Sequence, residues 1–238
     1  LPISMDSLEA LARWLMAADD VAVITHVHPD GDALGTAMAM KLALTALGKR
    51  AACVCDDPAP LNYTFLPEPP SAPENLPFIP ARALLVDAGD LDRAGRSAAI
   101  LSRVPSATLD HHGTSRGVGE VRVVDPSAPA AGVLALPLIR MLGVSLTRDM
   151  AACLYAAIAS DTGNFTFPST TPDSLRAAAD CLETGLELGL LADDLGGELA
   201  VLRGQLDGAG DLGVDALLDV GGEGRLLVAG GLEAVEAL

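Results

Sequence analysis

The chain has 238 residues, half of them hydrophobic and a fifth charged, which is the composition of a globular protein able to bury a large core and excludes a disordered one. A formal net charge of −17 speaks against a basic groove for long nucleic acid, because that affinity comes from Lys and Arg neutralising phosphates. No run of about 18 apolar residues is present to span a membrane, and the first residues show no basic stretch and apolar run of a secretory leader.

The chain-order pattern predicts an alternation of helices and strands. Leu8, Leu11, Leu15 and Met16 recur at helical spacing and predict a helix over Met5–Ala18. Val21–Ile24 reads as a buried strand, Gly31–Gly48 as a helix that Gly48 stops, and Ala51–Cys55 as a second strand. Strand, crossover helix and strand make a βαβ unit and hence a parallel sheet. Pro58–Pro80 carries eight of the sixteen prolines and is a connector. Ala83–Val86 and Ala107–Leu109 predict two more buried strands, each followed by an acidic residue, and Val121–Val124 a further one. Helical patterns return at Gly132–Leu142, Arg148–Ser160 and Pro172–Leu190. The expected fold is α/β, a doubly wound, mainly parallel sheet over residues 1–190.

Beyond that point the composition shifts. Residues 200–238 hold nine glycines, two arginines and seven Asp or Glu, and no aromatic residue follows Phe167. Residues 191–238 therefore read as a linker plus a small or incomplete C-terminal α/β domain. The four cysteines, Cys53, Cys55, Cys153 and Cys181, form no C-x-x-C pair and read as buried free thiols in a reducing, cytoplasmic compartment.

The chemistry lies at the strand ends. His26-Val-His28-Pro-Asp30-Gly-Asp32 follows the first strand, Asp87 the third, and Asp110-His111-His112 the fourth, while Asp161 ends a later helix. In a parallel sheet the C-termini of the strands share one edge, so these segments converge there. All four histidines of the chain lie in them. Five carboxylates and up to four imidazoles at one edge repel one another unless cations are present. Asp and His without cysteine suit Mn²⁺, Mg²⁺ or Co²⁺. Six or so ligands are too many for one such ion with open positions and fit two ions sharing a carboxylate, an arrangement suited to phosphate ester hydrolysis.

The four segments, in this order, resemble the motifs of the DHH phosphoesterase superfamily: His26-x-x-x-Asp30-x-Asp32-x-x-Gly35, Val86-Asp87-x-x-Asp90-x-x-Arg93, Asp110-His111-His112, and Ser160-Asp161-Thr162-Gly163. The stretch from Ala152 to Phe165, with Thr171-Pro172 after it, is similar to the oligoribonuclease and pAp phosphatase (nanoRNase) branch. The resemblance implies that His26, Asp30 and Asp87 hold one metal, and Asp32, Asp87, His111 and Asp161 the other, with Asp87 bridging. It implies that His112 faces the scissile phosphate as hydrogen-bond donor or general acid, and that Asp110 orients an imidazole. Members of the family carry a second domain, DHHA1, with a glycine-rich stretch ending in His. No histidine follows His112 here, a departure from the family; the run from Gly221 to Arg225 is a faint echo of that stretch, and the resemblance extends to Arg225 as a substrate contact.

Several residues keep two readings. Arg93 contacts a phosphate or pairs with Asp90 or Asp92. Thr114, with Ser115, bonds substrate or shapes a turn. His28, at a position where the family usually has Asn, shapes the loop or touches metal or substrate. Phe165 and Phe167 are core or base-stacking platforms. Cys53 and Cys55 alternate along a strand as packing residues. The expected substrates are short RNA and pAp, with cyclic dinucleotides, pyrophosphate or a non-catalytic binding module as alternatives. No long nucleic acid and no membrane is expected as a partner, and a homodimer is left open.

Overall fold

Five parallel strands form the sheet in the computed structural model, which describes residues 5–60, 63 and 66–188 together with the backbone of 216–219 and 225–228. They are β1 (Asp20–Ile24), β2 (Arg50–Val54), β3 (Arg82–Val86), β4 (Ser106–Asp110) and β5 (Val121–Val124). The spatial order is β2-β1-β3-β4-β5, each neighbour parallel. β1, β3 and β4 are buried along nearly their whole length, so β1 and β3 read as continuous apolar runs rather than alternating ones.

The chain leaves β1 toward β2 and returns to place β3 on the other side. That reversal opens a crevice outside the C-terminal ends of β1 and β3, where α/β sheets bind ligands.

The two faces of the sheet are covered unequally. One carries α1 (Met5–Met16), α2 (Gly31–Ala46), α4 (Ala131–Met141), α5 (Arg148–Asp161) and α6 (Pro172–Leu182) over Val23, Leu84, Val86 and Leu109. The other face, with Ile24, Val54 and Leu85, is covered by the short α3 (Ala98–Leu101) and the 3₁₀ turn Asp92–Ser97. α2 is buried all round over its first ten residues, because the sheet lies on one side and α4 and α5 on the other. Gly35 is required there. A Cβ would overlap the Cys153 carbonyl and stand 3.0 Å from the Ala157 Cβ. This close seam brings the start of α2 against the end of α5, where Gly31 meets Ser160.

Helix ends differ from expectation at several places, of which two have a clear cause. α1 stops at Met16 and not Ala18, and the Lys49 Nζ–H groups donate to the carbonyls of Met16 at 3.0 Å and Ala18 at 2.8 Å, a cation at a helix C-terminus. α6 begins with a Thr171–Ser174 capping box and ends at Leu182 rather than Leu190, since Gly185 turns the chain at φ +81°. Among the described residues no helix is long and apolar enough to cross a membrane.

Contacts divide the chain into two units, residues 1–191 and 192–238. In the second, β6 (Ala216–Asp219) and β7 (Arg225–Val228) pair antiparallel, with Asp219 opposite Arg225. The Arg225 side chain lies outside the described residues.

Candidate metal centre

Each acidic or imidazole group reaches the crevice by a specific local turn. His26 lies two residues beyond β1, after which the chain kinks at His28 (φ +53°). It then enters α2 through Asp30, whose Oδ1 caps the helix by accepting the Ala33 N–H at 3.0 Å. Asp32 sits in the first turn of α2 and is fully buried. β3 runs directly into Asp87, which is buried at φ +51°, a conformation Asp tolerates better than most residues. β4 delivers Asp110, His111 and His112, and α5 ends on Asp161.

Three groups of possible ligand atoms result, each within 4.8 Å: His26, Asp30 and Asp87; Asp32, His111 and Asp161; and Asp87, His111 and His112. The His26 Nε2 lies 3.5 Å from Asp87 Oδ2 and 3.9 Å from Asp30 Oδ2. The His111 Nε2 lies 3.2 Å from Asp161 Oδ2, 3.3 Å from Asp87 Oδ1 and 3.5 Å from Asp32 Oδ2. Asp87 therefore stands between the two imidazoles and offers one oxygen to each.

The hydrogen bonding fits cations at these points. The His26 Nδ1 lies 2.8 Å from the Val27 carbonyl and the His111 Nδ1 lies 3.1 Å from the Ala128 carbonyl. Both Nδ1 atoms therefore donate, which leaves each Nε2 lone pair aimed into the cluster, as metal-binding histidines require. Among the described residues the Nε2 atoms of His26 and His111 and the Oδ1 of Asp87 are buried without any hydrogen-bond partner. Orphaned buried polar atoms are costly, and a divalent ion satisfies this set of nitrogen and oxygen donors. Asp32 already accepts the Thr36 hydroxyl and the Gly132 N–H through Oδ1 and the Ala131 N–H through Oδ2, yet Oδ2, the oxygen that faces His111, keeps a second lone pair free.

The electrostatics carry the same message. Burial opposes charge on His111, but Asp161, Asp87 and Asp32 overcome it and push its pKa up to about 11. Burial also opposes the charged form of His26; Asp87 and the Val27 carbonyl outweigh it and raise the pKa, with Arg93 close enough to work against them. Burial, then repulsion from Asp87 and Asp161, holds the Asp32 carboxyl well above the usual range. Asp87 is lowered despite its burial because His111 and His26 face it. The cluster is an excess of negative charge in want of cations.

His112 is held differently. Its Nδ1–H donates to Asp110 Oδ1 at 2.8 Å, and that oxygen also accepts the backbone N–H groups of His111 (2.8 Å) and His112 (3.2 Å). Asp110 thus orients His112, while the carbonyl of Ala128 orients His111. The hydrogen bond to Asp110 raises the pKa of His112. Burial would raise that of Asp110, but His112 and Ser115 bring it below the ordinary range.

The remaining sequence-derived residues resolve unevenly. Arg93 makes no ion pair with Asp90 or Asp92 among the described residues; its backbone N–H bonds Asp90 Oδ1 at 3.2 Å and its charge acts on His26. Thr114 is exposed on the turn after His112. The His28 imidazole is 90% exposed and lies 3.4 Å from Asp57. Phe165 packs on the core and on Tyr155, whereas Phe167 is 55% exposed with its ring over Gly163. Cys55 does more than pack, since its thiol donates to the His26 carbonyl at 3.2 Å. Asp57 and the Ala128 carbonyl carry no sequence signal of their own.

The profile of the DHH family, N-terminal domain, matches residues 20–158. The chain belongs to the DHH family. It is 38% identical over 197 residues to the bifunctional oligoribonuclease and PAP phosphatase NrnA of Thermus thermophilus, covering 82% of this chain and 59% of that protein. Among solved structures, the DHH chain is similar to an exopolyphosphatase-related protein from Bacteroides fragilis, with TM-score 0.73 at 19% identity over 87% of this chain and 66% of that one. It also matches the exonuclease RecJ bound to manganese, with TM-score 0.51 at 16% identity over 77% of this chain and 48% of that one. These likenesses show the fold. The DHH chain spans little more than half the length of the curated relatives it matches.

Proposed function

We propose that this chain carries the catalytic centre of a phosphoesterase that hydrolyses short oligoribonucleotides to mononucleotides and removes the 3′ phosphate of pAp to leave AMP. The observation that carries the reading is Asp87, buried between His26 and His111, with the facing nitrogens and its own Oδ1 lacking hydrogen-bond partners. His26, Asp30 and Asp87 would hold one divalent ion, and Asp32, Asp87, His111 and Asp161 a second. Mn²⁺ is the preferred ion, with Mg²⁺ and Co²⁺ as substitutes, because the donors are oxygen and imidazole nitrogen without thiolate. When bound, two such ions polarise a phosphoryl group and lower the pKa of water.

The protein groups supply the rest. Asp110 fixes the His112 ring through Nδ1 and favours its protonated form, so Nε2–H is available to donate to a phosphate oxygen or to the departing alkoxide. Arg93, free of acidic partners among the described residues, supplies a positive charge beside His26 for a second phosphate oxygen. Thr114 is a further substrate contact in this proposal. The substrate class follows from the similarity to NrnA. The buried free thiols suit a reducing, cytoplasmic setting.

The test is an assay of Mn²⁺-loaded protein on pAp, a ribodinucleotide, cyclic di-AMP and pyrophosphate. Release of AMP from pAp and mononucleotides from the dinucleotide is expected. Hydrolysis of pyrophosphate alone, or of cyclic di-AMP in preference to both, overturns the substrate assignment.

A further inference from the structure

The segment that carries His26 and Asp30 is gripped from outside by the end of β2. The Cys55 thiol donates to the His26 carbonyl at 3.2 Å, and the His28 backbone N–H donates to Asp57 Oδ2 at 2.7 Å. Between them the Val27 N–H donates to the Arg93 carbonyl at 2.9 Å. Three successive residues of the loop are therefore tied to neighbouring segments. His28 is the kink itself, at φ +53°, a conformation that a side chain with a Cβ resists. Its imidazole is exposed, with Nδ1 3.4 Å from the same Asp57 oxygen, and belongs to none of the ligand groups of the centre.

The acceptor is anchored. Asp56, next to Asp57, accepts the Arg96 N–H at 2.6 Å and the Ser97 hydroxyl at 3.1 Å, and Arg96 also pairs with Glu74 at 2.9 Å. Gly95, at φ +56°, has no room for a Cβ, which would stand 2.5 Å from Asp56 Oδ2 and 2.6 Å from Val27 Cγ1. The end of β2 thus forms a fixed post between the loop after β1 and the turn after β3.

We infer that Asp57 is a positioning residue of the metal centre: by accepting the His28 N–H it holds the left-handed kink that sets His26 and Asp30 relative to each other, and so sets the affinity of the ion those two residues bind. The inference rests on the two-ion reading above. His26 and Asp30 lie on either side of the kink, two residues away in each direction. Asp87 comes from a different strand and does not move with them. A loop that relaxes toward ordinary φ therefore breaks the match among all three, while Asp32, His111 and Asp161 keep theirs.

The experiment is calorimetric titration of the metal-free protein with Mn²⁺, with thermal melts to confirm folding. Wild type is expected to bind two ions. D57A should bind one ion as wild type does and the other about 10–100-fold more weakly, the usual cost of removing a supporting partner of a ligand. D57N removes the charge but keeps an acceptor oxygen, and should stay close to wild type. In an H28G background the kink no longer strains the backbone, so D57A should lose much less. Wild-type affinities for both ions in D57A, a loss in D57N equal to that in D57A, or no recovery with H28G each overturn the inference. If wild type itself binds no Mn²⁺, the two-ion reading fails, and this inference with it.

Discussion

Asp32 caps helix α4 from across the candidate metal centre, accepting the Ala131 N–H at 2.5 Å through Oδ2 and the Gly132 N–H at 2.9 Å through Oδ1. The residue at the helix's own N-cap position is Ala130, which has no acceptor to offer. A side chain about a hundred positions earlier therefore satisfies two of the orphan donors that every helix start presents. The same carboxylate faces His111 at 3.5 Å. One residue joins the chemistry of the centre to the packing of α4.

Asp32→Ala should consequently cost more than metal binding. It leaves the Ala131 and Gly132 N–H groups and the Thr36 hydroxyl without an acceptor in a buried place, at about 1–3 kcal/mol for an unsatisfied group. Relief of repulsion from Asp87 and Asp161 returns part of this. A net loss of roughly 1–3 kcal/mol is expected for the metal-free protein, measured by urea unfolding. Asp161→Ala, at the half-exposed end of α5, should lose metal binding with stability changed by no more than about 0.5 kcal/mol. Equal stability of the two variants would remove the capping role from Asp32.

Asp87→Asn and the two histidine variants separate binding from turnover. The amide nearly preserves shape but removes the charge that faces both His26 and His111. Turnover should fall by several orders of magnitude with the melting temperature little changed, and retention of a tenth of wild-type activity under saturating Mn²⁺ would sink the bridging role. His111→Ala should weaken metal binding at one site, whereas His112→Ala should bind metal nearly normally and lose turnover. Equal loss of metal content in both would show that the two roles are wrongly divided.

Away from the centre, Asp56 gives a pH-dependent term. Burial would raise its pKa, but the Arg96 N–H, the Ser97 hydroxyl and the Arg96 guanidinium together hold it below the usual carboxylate range. A depressed folded-state pKa contributes stability that is present above the unfolded value, about 3.9, and is lost as pH falls through the folded value. Asp56→Asn should therefore be less stable than wild type at neutral pH, and the difference should shrink on acidification below about pH 4. A difference that stays constant down to pH 2 in denaturant titrations would show that the ion pair with Arg96 adds nothing.

The parts of this molecule that could be read from its sequence are those where residue type and element coincide. β1 and β3 are short apolar runs followed by ligand-type residues, because strands buried on both faces need such runs and a parallel sheet puts its functional groups at one edge. The clustering of all four histidines beside aspartates marks two of the four segments that converge, and Asp87 and Asp161 stand at the ends of β3 and α5. What stayed hidden acts through backbone groups or across segments. The Ala128 carbonyl that orients His111, the Asp57 carboxylate on the His28 N–H and the α4 N-terminus on Asp32 carry no composition or spacing signal. Cys55 read as packing because a thiol donating to a carbonyl leaves the same apolar pattern along the strand. α6 ends at Leu182 although the apolar spacing continues past Gly185, because the positive φ of Gly185 turns the chain.

Substrate length is the last expectation. The chain has a net charge of −17, no aromatic residue after Phe167 and two arginines among residues 200–238. Stacking contributes about 1–3 kcal/mol per base, so a strand running away from the centre gains little from a segment without aromatic rings. Among the described residues, Arg93 is the cation whose charge reaches His26. Phe167, exposed with its ring over Gly163, is a single ring, enough for one base but not for a run of them. Binding energy should then come from the terminal phosphate and its immediate neighbours. For this chain kcat/KM is expected to be greatest on pAp or on substrates of two to four nucleotides, roughly the span that one ring and one clamped phosphate can hold. It should fall as RNA lengthens and show weak salt dependence beyond the shortest substrates. A length series of 5′-labelled RNA at two salt concentrations measures this. A preference for long strands over dimers that steepens at low salt would demonstrate a cationic binding surface and overturn the expectation.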